Sequence, residues 1–336
     1  MRWVRRRISQ PPRTAIPAVS WRRSSRRRSR RANANEPEPQ GTSDMAEQKQ
    51  VVGFVGYGAM ASRMGQHIRD AGYEVVAYTP SSKGGNAPDG AKLFGSARAL
   101  AEASDIVMVS VPNDAALDIS SYGDQGMLAG MRSGGLLINT SSVSPDASRR
   151  LAKAGIAQGI AVLDAPVSGS TPEAEAGALI VLVGGEAADV ERARPILDAI
   201  GKTTVHAGAA GQGSVLKLVV NGIMGAGMTA LAEAVGYGLV AGLDREMLLG
   251  ALDGLAVISP HHKRKLKAAS SGNISPQFPT ALMHKDMGLL LSDGAIHSVP
   301  LPTIAAATQL LALTKQHHAK DDYSAVLPVT EALAKG

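Results

Sequence analysis

Cysteine is absent from the 336 residues, which excludes disulfides, thiolate metal sites and cysteine nucleophiles and suits a reducing compartment such as the cytoplasm. No apolar run free of Gly, Pro and charge reaches the ~20 residues that a membrane span requires, so no membrane is expected as a partner. The histidines, including His261-His262 and His317-His318, form no recognisable ligand set, and no metal site is expected. Acidic residues are missing from the first 35 positions, which hold 12 of the 35 basic residues, all of them arginine. The 23 basic residues that remain face all 29 acids, so the rest of the chain carries a net charge of −6. That balance argues against a nucleic-acid-binding fold.

Residues 1–44 differ in texture from the rest of the chain. They contain both tryptophans, Trp3 and Trp21, and an arginine run at 22–31 broken only by serines, with no amphipathic period. Met45 then opens a short polar lead into an apolar strand. Residues 1–44 are read as a basic, disordered extension outside the fold. An organelle transit peptide is the alternative to a cytoplasmic location, and contact with nucleic acid or another acidic surface is a third reading.

From residue 51 short apolar runs alternate with helical periods. Residues 51–55, 74–79, 106–111, 136–139, 161–164, 180–183 and 203–206 read as buried strands. Residues 60–71 read as a helix stopped by Gly72, and 145–158 as a helix with Ser144 at its N-cap and Pro145 in its first turn. Continuous apolar strands between helices imply a mainly parallel sheet covered on both faces. Residues 214–241 then read as one long helix, apolar nearly all round and therefore buried in a core or between subunits. Helical periods continue at 245–255, 280–297, 303–318 and 324–334, and no strand pattern returns. The expected architecture is an α/β Rossmann domain over 45–210 followed by an all-α domain over 211–336.

Gly53-Phe54-Val55-Gly56-Tyr57-Gly58-Ala59-Met60-Ala61 closes a strand and opens a helix. Gly56 and Gly58 let the turn form and let a pyrophosphate approach the backbone. Ala61 takes the small position where helix meets strand, and the free N–H groups of the helix start favour phosphate. Gly56, Tyr57, Gly58, Ala59, Met60 and Ala61 are the expected dinucleotide contacts. The second strand ends in Tyr78-Thr79-Pro80-Ser81-Ser82-Lys83, without the acid that usually holds a ribose 2′-hydroxyl. Ser81, Ser82 and Lys83 offer two hydroxyls and an ammonium to a 2′-phosphate, so NADP is favoured over NAD, with Thr79 beside them. An ordinary Pro-Ser turn is the other reading.

Val111-Pro112-Asn113 and Asn139-Thr140-Ser141-Ser142 sit where strands end, the edge at which open α/β sheets bind ligands. Val111, Pro112 and Ser142 are candidate cofactor contacts, and helix capping is the competing explanation of these polar groups. In Asp164-Ala165-Pro166-Val167-Ser168-Gly169-Ser170-Thr171, the residues Ser168, Gly169 and Ser170 form a candidate anion cradle for a carboxylate, as against a plain polar turn. Lys217 and Asn221 lie four apart, on one face at the start of the long apolar helix. A Lys and an Asn buried together are costly unless paired or functional, and the pair suits proton transfer to a carbonyl oxygen. A lysine snorkelling at a domain junction is the structural alternative. His284-Lys285-Asp286-Met287 begins another helical face with a Lys–Asp pair that, by itself, reads as a solvated ion pair.

In this order the motifs resemble those of the β-hydroxyacid dehydrogenases, the family that includes 3-hydroxyisobutyrate dehydrogenase, tartronate semialdehyde reductase and 6-phosphogluconate dehydrogenase. The likeness runs over residues 51–326. Its glycine fingerprint is similar to 56–64, its D-x-P-V-S-G-G motif to 164–170, its G-x-x-x-K-x-x-x-N motif to 213–221, and its K-D pair to Lys285-Asp286. The stretch Leu216-Lys217-Leu218-Val219-Val220-Asn221-Gly222 and Pro276-Gln277-Phe278-Pro279 look most like the glyoxylate and succinic semialdehyde reductases. Ser170 replaces the second glycine of the substrate motif, Ala61 the third fingerprint glycine, and Pro80 an arginine of those reductases.

The resemblance implies an NAD(P)-dependent oxidoreductase that interconverts a small hydroxy acid and its aldehyde or keto acid, working as a homodimer or homotetramer. It implies Lys217 as general acid and base. Ser168, Gly169 and Ser170 would hold a carboxylate-bearing substrate with Asn221, and Lys285 would lie beside the cofactor. An imine reductase is the first alternative, against which Lys217 counts, because those enzymes usually carry Asp or Tyr there. The second is a non-catalytic dehydrogenase-like scaffold whose basic tail contacts nucleic acid, against which the Lys217–Asn221 pair counts.

Overall fold

The computed structural model describes residues 49–80 and 84–335. The expectations for residues 1–44, and for Ser81, Ser82 and Lys83 as a phosphate site, lie outside the described residues.

Apolar segments too short for helices assemble into one sheet. Its strands are β1 (Val51–Val55), β2 (Glu74–Tyr78), β3 (Gly85–Asn86), β4 (Lys92–Leu93), β5 (Ile106–Val109), β6 (Leu136–Asn139), β7 (Ala161–Asp164), β8 (Val167–Ser168), β9 (Leu179–Gly184) and β10 (Gly201–Gly208). The order is β10-β9-β7-β6-β5-β1-β2-β4-β3, with β8 hydrogen-bonded to β9. Pairing is parallel from β4 through β2, β1, β5 and β6 to β7, and again between β9 and β10. The antiparallel contacts are β3 with β4, β7 with β9 through Asp164 and Gly184 only, and β8 with β9. The sheet is thus mainly parallel, as expected. The two-residue strands β3, β4 and β8 escape a sequence reading because two residues cannot display a period.

Among the described residues seven helices lie between the strands: α1 (Ala59–Asp70), α2 (Ala97–Glu102), α3 (Asp114–Ser121), α4 (Met127–Gly130), α5 (Pro145–Ile156), α6 (Thr171–Glu175) and α7 (Ala187–Ile200). They cover both faces. Along β1, Val52 and Phe54 meet Ala61, Met64 and Ile68 of α1 and Leu197 of α7. Val55 turns to the other face, with Leu100, Leu117 and Leu151. The start of α5 follows the expected chemistry: Ser144 Oγ accepts from Ala147 N at 3.0 Å, and Pro145 needs no donor in the first turn.

Beyond β10 the described chain is helical: α8 (Gln212–Val240), α9 (Arg245–Gly254), α10 (Pro260–Ser270), α11 (Thr280–Ile296), α12 (Pro302–His318) and α13 (Val326–Lys335). Helix α8 is long and apolar enough to cross a bilayer, with a mean hydropathy of 1.6 over its most apolar window, yet half of that window is buried within the protein. Met228, Leu231 and Val235 pack with Met283 and Met287 of α11, Leu311 of α12 and Leu327 of α13. Each such side chain contributes about 1.5–3 kcal/mol on burial, so the apolarity of α8 is accounted for by this core.

Candidate active site

The parallel strands deliver their loops to one edge. The chain leaves β1 towards β2 on one side and returns to β5 on the other, so β1 and β5 flank the point where the sheet reverses direction. There Gly56 has φ +85°, and a Cβ on it would stand 2.2 Å from the Ser110 carbonyl oxygen, so only glycine closes the turn. At Gly58 an added Cβ would meet no protein atom, so nothing in the chain itself requires glycine. Such a Cβ would instead stand in open space beside the loop. No side chain caps the N-terminus of α1, and its first turn carries no acid. Open backbone N–H groups, a positive helix end and a glycine-lined cradle fit a dinucleotide pyrophosphate. Ala59, Met60 and Ala61 form that first helical turn. Tyr57 enters through its backbone, because its side chain is engaged elsewhere. Its hydroxyl donates to Asp89 Oδ2 at 2.6 Å and accepts from Arg69 Nη1 at 3.2 Å. Burial and the Asp89 carboxylate push that phenol up to about 12. Thr79 follows the end of β2, half-buried.

The polar residues after β5 and β6 do serve local turns. Asn113 Oδ1 caps α3 by accepting from Ala116 N at 2.9 Å, Ser141 Oγ accepts from Val111 N at 2.9 Å, and Asn139 Oδ1 accepts from Ser141 N at 3.1 Å. Pro112 remains exposed between them. The Ser142 carbonyl is different: it accepts a hydrogen bond from Lys285 Nζ, on α11, 143 residues away in sequence.

Lys285 also lies 2.7 Å from Asp286 Oδ1, and Asp286 is buried. This is the pair that sequence alone would place in solvent. The other carboxylate oxygen of Asp286 accepts from Asn221 Nδ2 at 2.6 Å. Asn221 is fully buried, and its Oδ1 has no hydrogen-bond partner among the described residues. One turn earlier, Lys217 is 7% exposed and makes no hydrogen bond or ion pair within the described chain. Its Nζ stands 5.9 Å from the centre of the Phe278 ring. Burial pushes the ammonium down to about 8; Asp286 pulls it up and Lys285 pushes it further down. Lys217, Asn221, Asp286 and Lys285 therefore form one cluster facing the loops at the carboxyl edge.

Ser168 ends β8, and Gly169 and Ser170 follow it. Ser168 Oγ and Gly169 N have no hydrogen-bond partner among the described residues. Ser170 departs from the expectation of a free cradle donor. Its N–H and hydroxyl both donate to Glu173 Oε2, at 2.7 and 3.1 Å, in the capping box that starts α6. The S-x-x-E spacing of Ser170 and Glu173 is legible in the sequence and is the signal for this arrangement.

Three further contributors lay outside the sequence reading. Asp164 accepts from Gly211 N and Ser214 N, each at 2.7 Å, and so holds the start of α8 against the end of β7. Asp322 Oδ2 accepts from Phe278 N at 3.0 Å and from Lys265 Nζ at 2.6 Å, which fixes the loop carrying Phe278. Glu173 Oε1 lies 3.2 Å from Arg264 Nη1 on α10. Among the described residues no group of three or more His, Cys, Asp or Glu is placed to hold a metal ion.

The chain is similar to known proteins along both its strand-bearing and its helical parts. Residues 51–208 match the model of the NAD binding domain of 6-phosphogluconate dehydrogenase, and residues 211–330 match that of the NAD-binding domain of NADP-dependent 3-hydroxyisobutyrate dehydrogenase. The chain is 35% identical to a 2-(hydroxymethyl)glutarate dehydrogenase of Eubacterium barkeri, over 84% of this chain and 95% of that protein. It is 32% identical to glyoxylate/succinic semialdehyde reductase 2 of Arabidopsis thaliana, over 84% of this chain and 79% of that one. Among solved structures, a 3-hydroxyisobutyrate dehydrogenase of Mycobacterium tuberculosis with L-serine superposes with a TM-score of 0.75 at 27% identity, covering 84% of this chain and 99% of the other.

Proposed function

The chain belongs to the β-hydroxyacid dehydrogenase family, and from that premise we propose that Lys217 is its general acid and base and that Ser168 and Gly169 anchor the substrate carboxylate. The protein is an NAD(P)-dependent oxidoreductase that interconverts a small hydroxy acid and its aldehyde or keto acid. When bound, the dinucleotide supplies or accepts the hydride.

The residues of the chain do the rest. The loop 56–61 holds the pyrophosphate, with Val111, Pro112, Ser142 and Lys285 around the remainder of the cofactor. Lys217 Nζ gives a proton to the carbonyl oxygen in reduction and takes it from the hydroxyl in oxidation. Asp286 fixes the Asn221 amide and leaves its Oδ1 as an acceptor beside the reacting groups. Ser170 supports the carboxylate site from beneath, through the capping box, while Ser168 Oγ and Gly169 N–H supply the donors.

The observation that carries this reading is Lys217 itself, a buried cation with no bonded partner, one turn from a buried amide fixed by Asp286. A structural lysine at such a place is costly, and removing an acid–base group typically costs about 10²–10⁴-fold in rate. Lys217→Ala is expected to lower kcat by that range with the dinucleotide Kd nearly unchanged. The check is steady-state kinetics over a panel of glyoxylate, succinic semialdehyde, tartronate semialdehyde, methylmalonate semialdehyde, 2-(hydroxymethyl)glutarate and 3-hydroxyisobutyrate, with cofactor titration by fluorescence. Retention of more than about a third of kcat would refute the role and assign the proton transfer to another group. The same panel reads cofactor choice. NADP is the preferred dinucleotide in this proposal, supported by the missing acid at the end of β2. The cytoplasm is the proposed location, supported by the absence of cysteine.

A further inference from the structure

Among the described residues, two polar side-chain contacts cross from the strand-bearing part of the chain to helices α10 and α11: Lys285 to the Ser142 carbonyl, and Arg264 to Glu173. The first belongs to the cluster already described. The second has no part in the proton transfer, yet it reaches the substrate loop within two contacts. Glu173 Oε2 takes both donors of Ser170, while its Oε1 faces Arg264 at 3.2 Å. Gly169 lies directly beneath. At its φ of +132°, a Cβ would stand 2.9 Å from Glu173 Cβ and 2.8 Å from Leu179 Cδ2. The loop is thus held on one side by β8 pairing with β9 and on the other by the Glu173 carboxylate.

Helix α10 carries a second tie in the next residue. Lys265 is buried and pairs with Asp322, which accepts from Phe278 N, and the Phe278 ring faces Lys217 Nζ at 5.9 Å. Arg264 and Lys265, adjacent on α10, are therefore tied to the substrate loop and to the Phe278 loop respectively. We propose that the Glu173–Arg264 pair is a positioning device for the substrate-binding loop, setting the affinity for the carboxylate of the hydroxy acid without acting on the dinucleotide or on the proton transfer. This rests on the reading that the 168–170 loop anchors the substrate.

Beyond the pairing of β8 with β9, the loop is fixed through Glu173. Ser170 spends its N–H and hydroxyl on Glu173, so the orientation of Ser168 Oγ and Gly169 N–H depends on where Glu173 sits. Glu173 is three-quarters shielded, whereas the Arg264 side chain is half exposed. Such a pair contributes little to global stability, so its effect should be confined to the loop. Small displacements of a binding group are costly for substrate affinity while leaving distant steps intact.

The test uses the full chain and three variants. Glu173→Gln keeps the capping box, since glutamine serves that position, and removes only the charge that meets Arg264. Arg264→Gln removes the other charge, and Arg264→Lys restores it. With the panel substrate turned over fastest, Glu173→Gln and Arg264→Gln should each raise KM about fivefold, with kcat and the dinucleotide Kd within about twofold and Arg264→Lys returning most of the loss. Hydrogen exchange read by mass spectrometry should quicken in residues 166–178 of both glutamine variants and not in 51–62. Unchanged KM and unchanged exchange in both variants would overturn the proposal. So would a parallel loss of kcat, cofactor affinity and melting temperature, which marks a general structural role. Ser168→Ala separates the two readings. If it raises KM while the pair variants do not, only the positioning role fails. If it has no effect on KM, the loop does not anchor the substrate, and the positioning role falls with it.

Discussion

Burial strips Lys217 of its hydration, and no bonded partner replaces what is lost, so the neutral amine gains on the ammonium. Asp286 limits the fall, and the result, about 8, leaves both forms populated near neutrality. The lowered value has a cost and a use. A lysine whose folded value lies below the ordinary 10.5 destabilises the fold wherever it is protonated, by about 3 kcal/mol at pH below 8, and that cost is relieved as pH rises towards 10.5. The use is a proton donor and acceptor in one group. For reduction the ammonium is required, so kcat/KM should be flat below pH 8 and fall about tenfold per unit above it. For oxidation the neutral amine is required, and kcat/KM should rise towards pH 8 and then level off. Asp286→Asn removes the group that raises Lys217, so both limbs should move to lower pH. Profiles measured in the two directions that bend at different pH, or an Asp286→Asn profile displaced upward, would contradict the assignment.

At the scale of elements, the site depends on how α8 is docked. Gly213 leaves no room for a side chain: a Cβ there would stand 2.5 Å from the Leu182 carbonyl oxygen and 2.6 Å from that of Asp164. Asp164 then accepts from two N–H groups at the start of the helix. One residue thus links the strand leading to the 168–170 loop with the helix that carries Lys217. Asparagine cannot substitute, because its amide would turn donors towards the Ser214 N–H. Asp164→Asn should cost about 2 kcal/mol in urea unfolding and lower kcat, since Lys217 lies in the first turns of α8. A variant as stable and as fast as the native chain would show that the cap does not position the helix. Much of this level was legible. The glycine fingerprint, the strand ends and the long helix follow from period and turn chemistry; α8 starts two residues before its expected span, at Gln212 after Gly211 at φ +91°, and ends one residue before it, at Val240. What could not be read was pairing across the chain. Ser142 with Lys285, Glu173 with Arg264 and Asp322 with Lys265 are joined by folding, not by spacing. Ser170 shows the opposite difficulty: its place in a substrate-like motif points to ligand binding and its S-x-x-E spacing to a helix start, and in the structure its N–H and hydroxyl donate to Glu173.

At the scale of the whole molecule, the two faces of α8 have different roles. Lys217 and Asn221 lie on the buried face, whereas Val219 and Ile223, two residues further on and so roughly 200° around the helix, are 46% and 67% exposed. The exposed face continues through Ala230 and Ala234 to Tyr237 and Val240, interrupted by one charge, Glu233. Helix α9 beside it has no fully buried residue, and Met247 and Leu255 are half exposed. We propose that this exposed apolar face is an association surface. The family resemblance makes a second copy of the same chain the proposed partner, in a homodimer or homotetramer. Light scattering coupled to size exclusion is expected to give twice or four times the mass of one chain. Ile223→Glu with Tyr237→Glu places two charges in that surface and should yield a monomer, because a buried unpaired carboxylate is far costlier than the contact it replaces. Since both substitutions lie opposite Lys217, the dinucleotide Kd of the monomer should stay within about threefold of the native value. A native chain that is monomeric at micromolar concentration would overturn the association, and a double variant that keeps the native mass would place it elsewhere and leave the exposed face of α8 without a role.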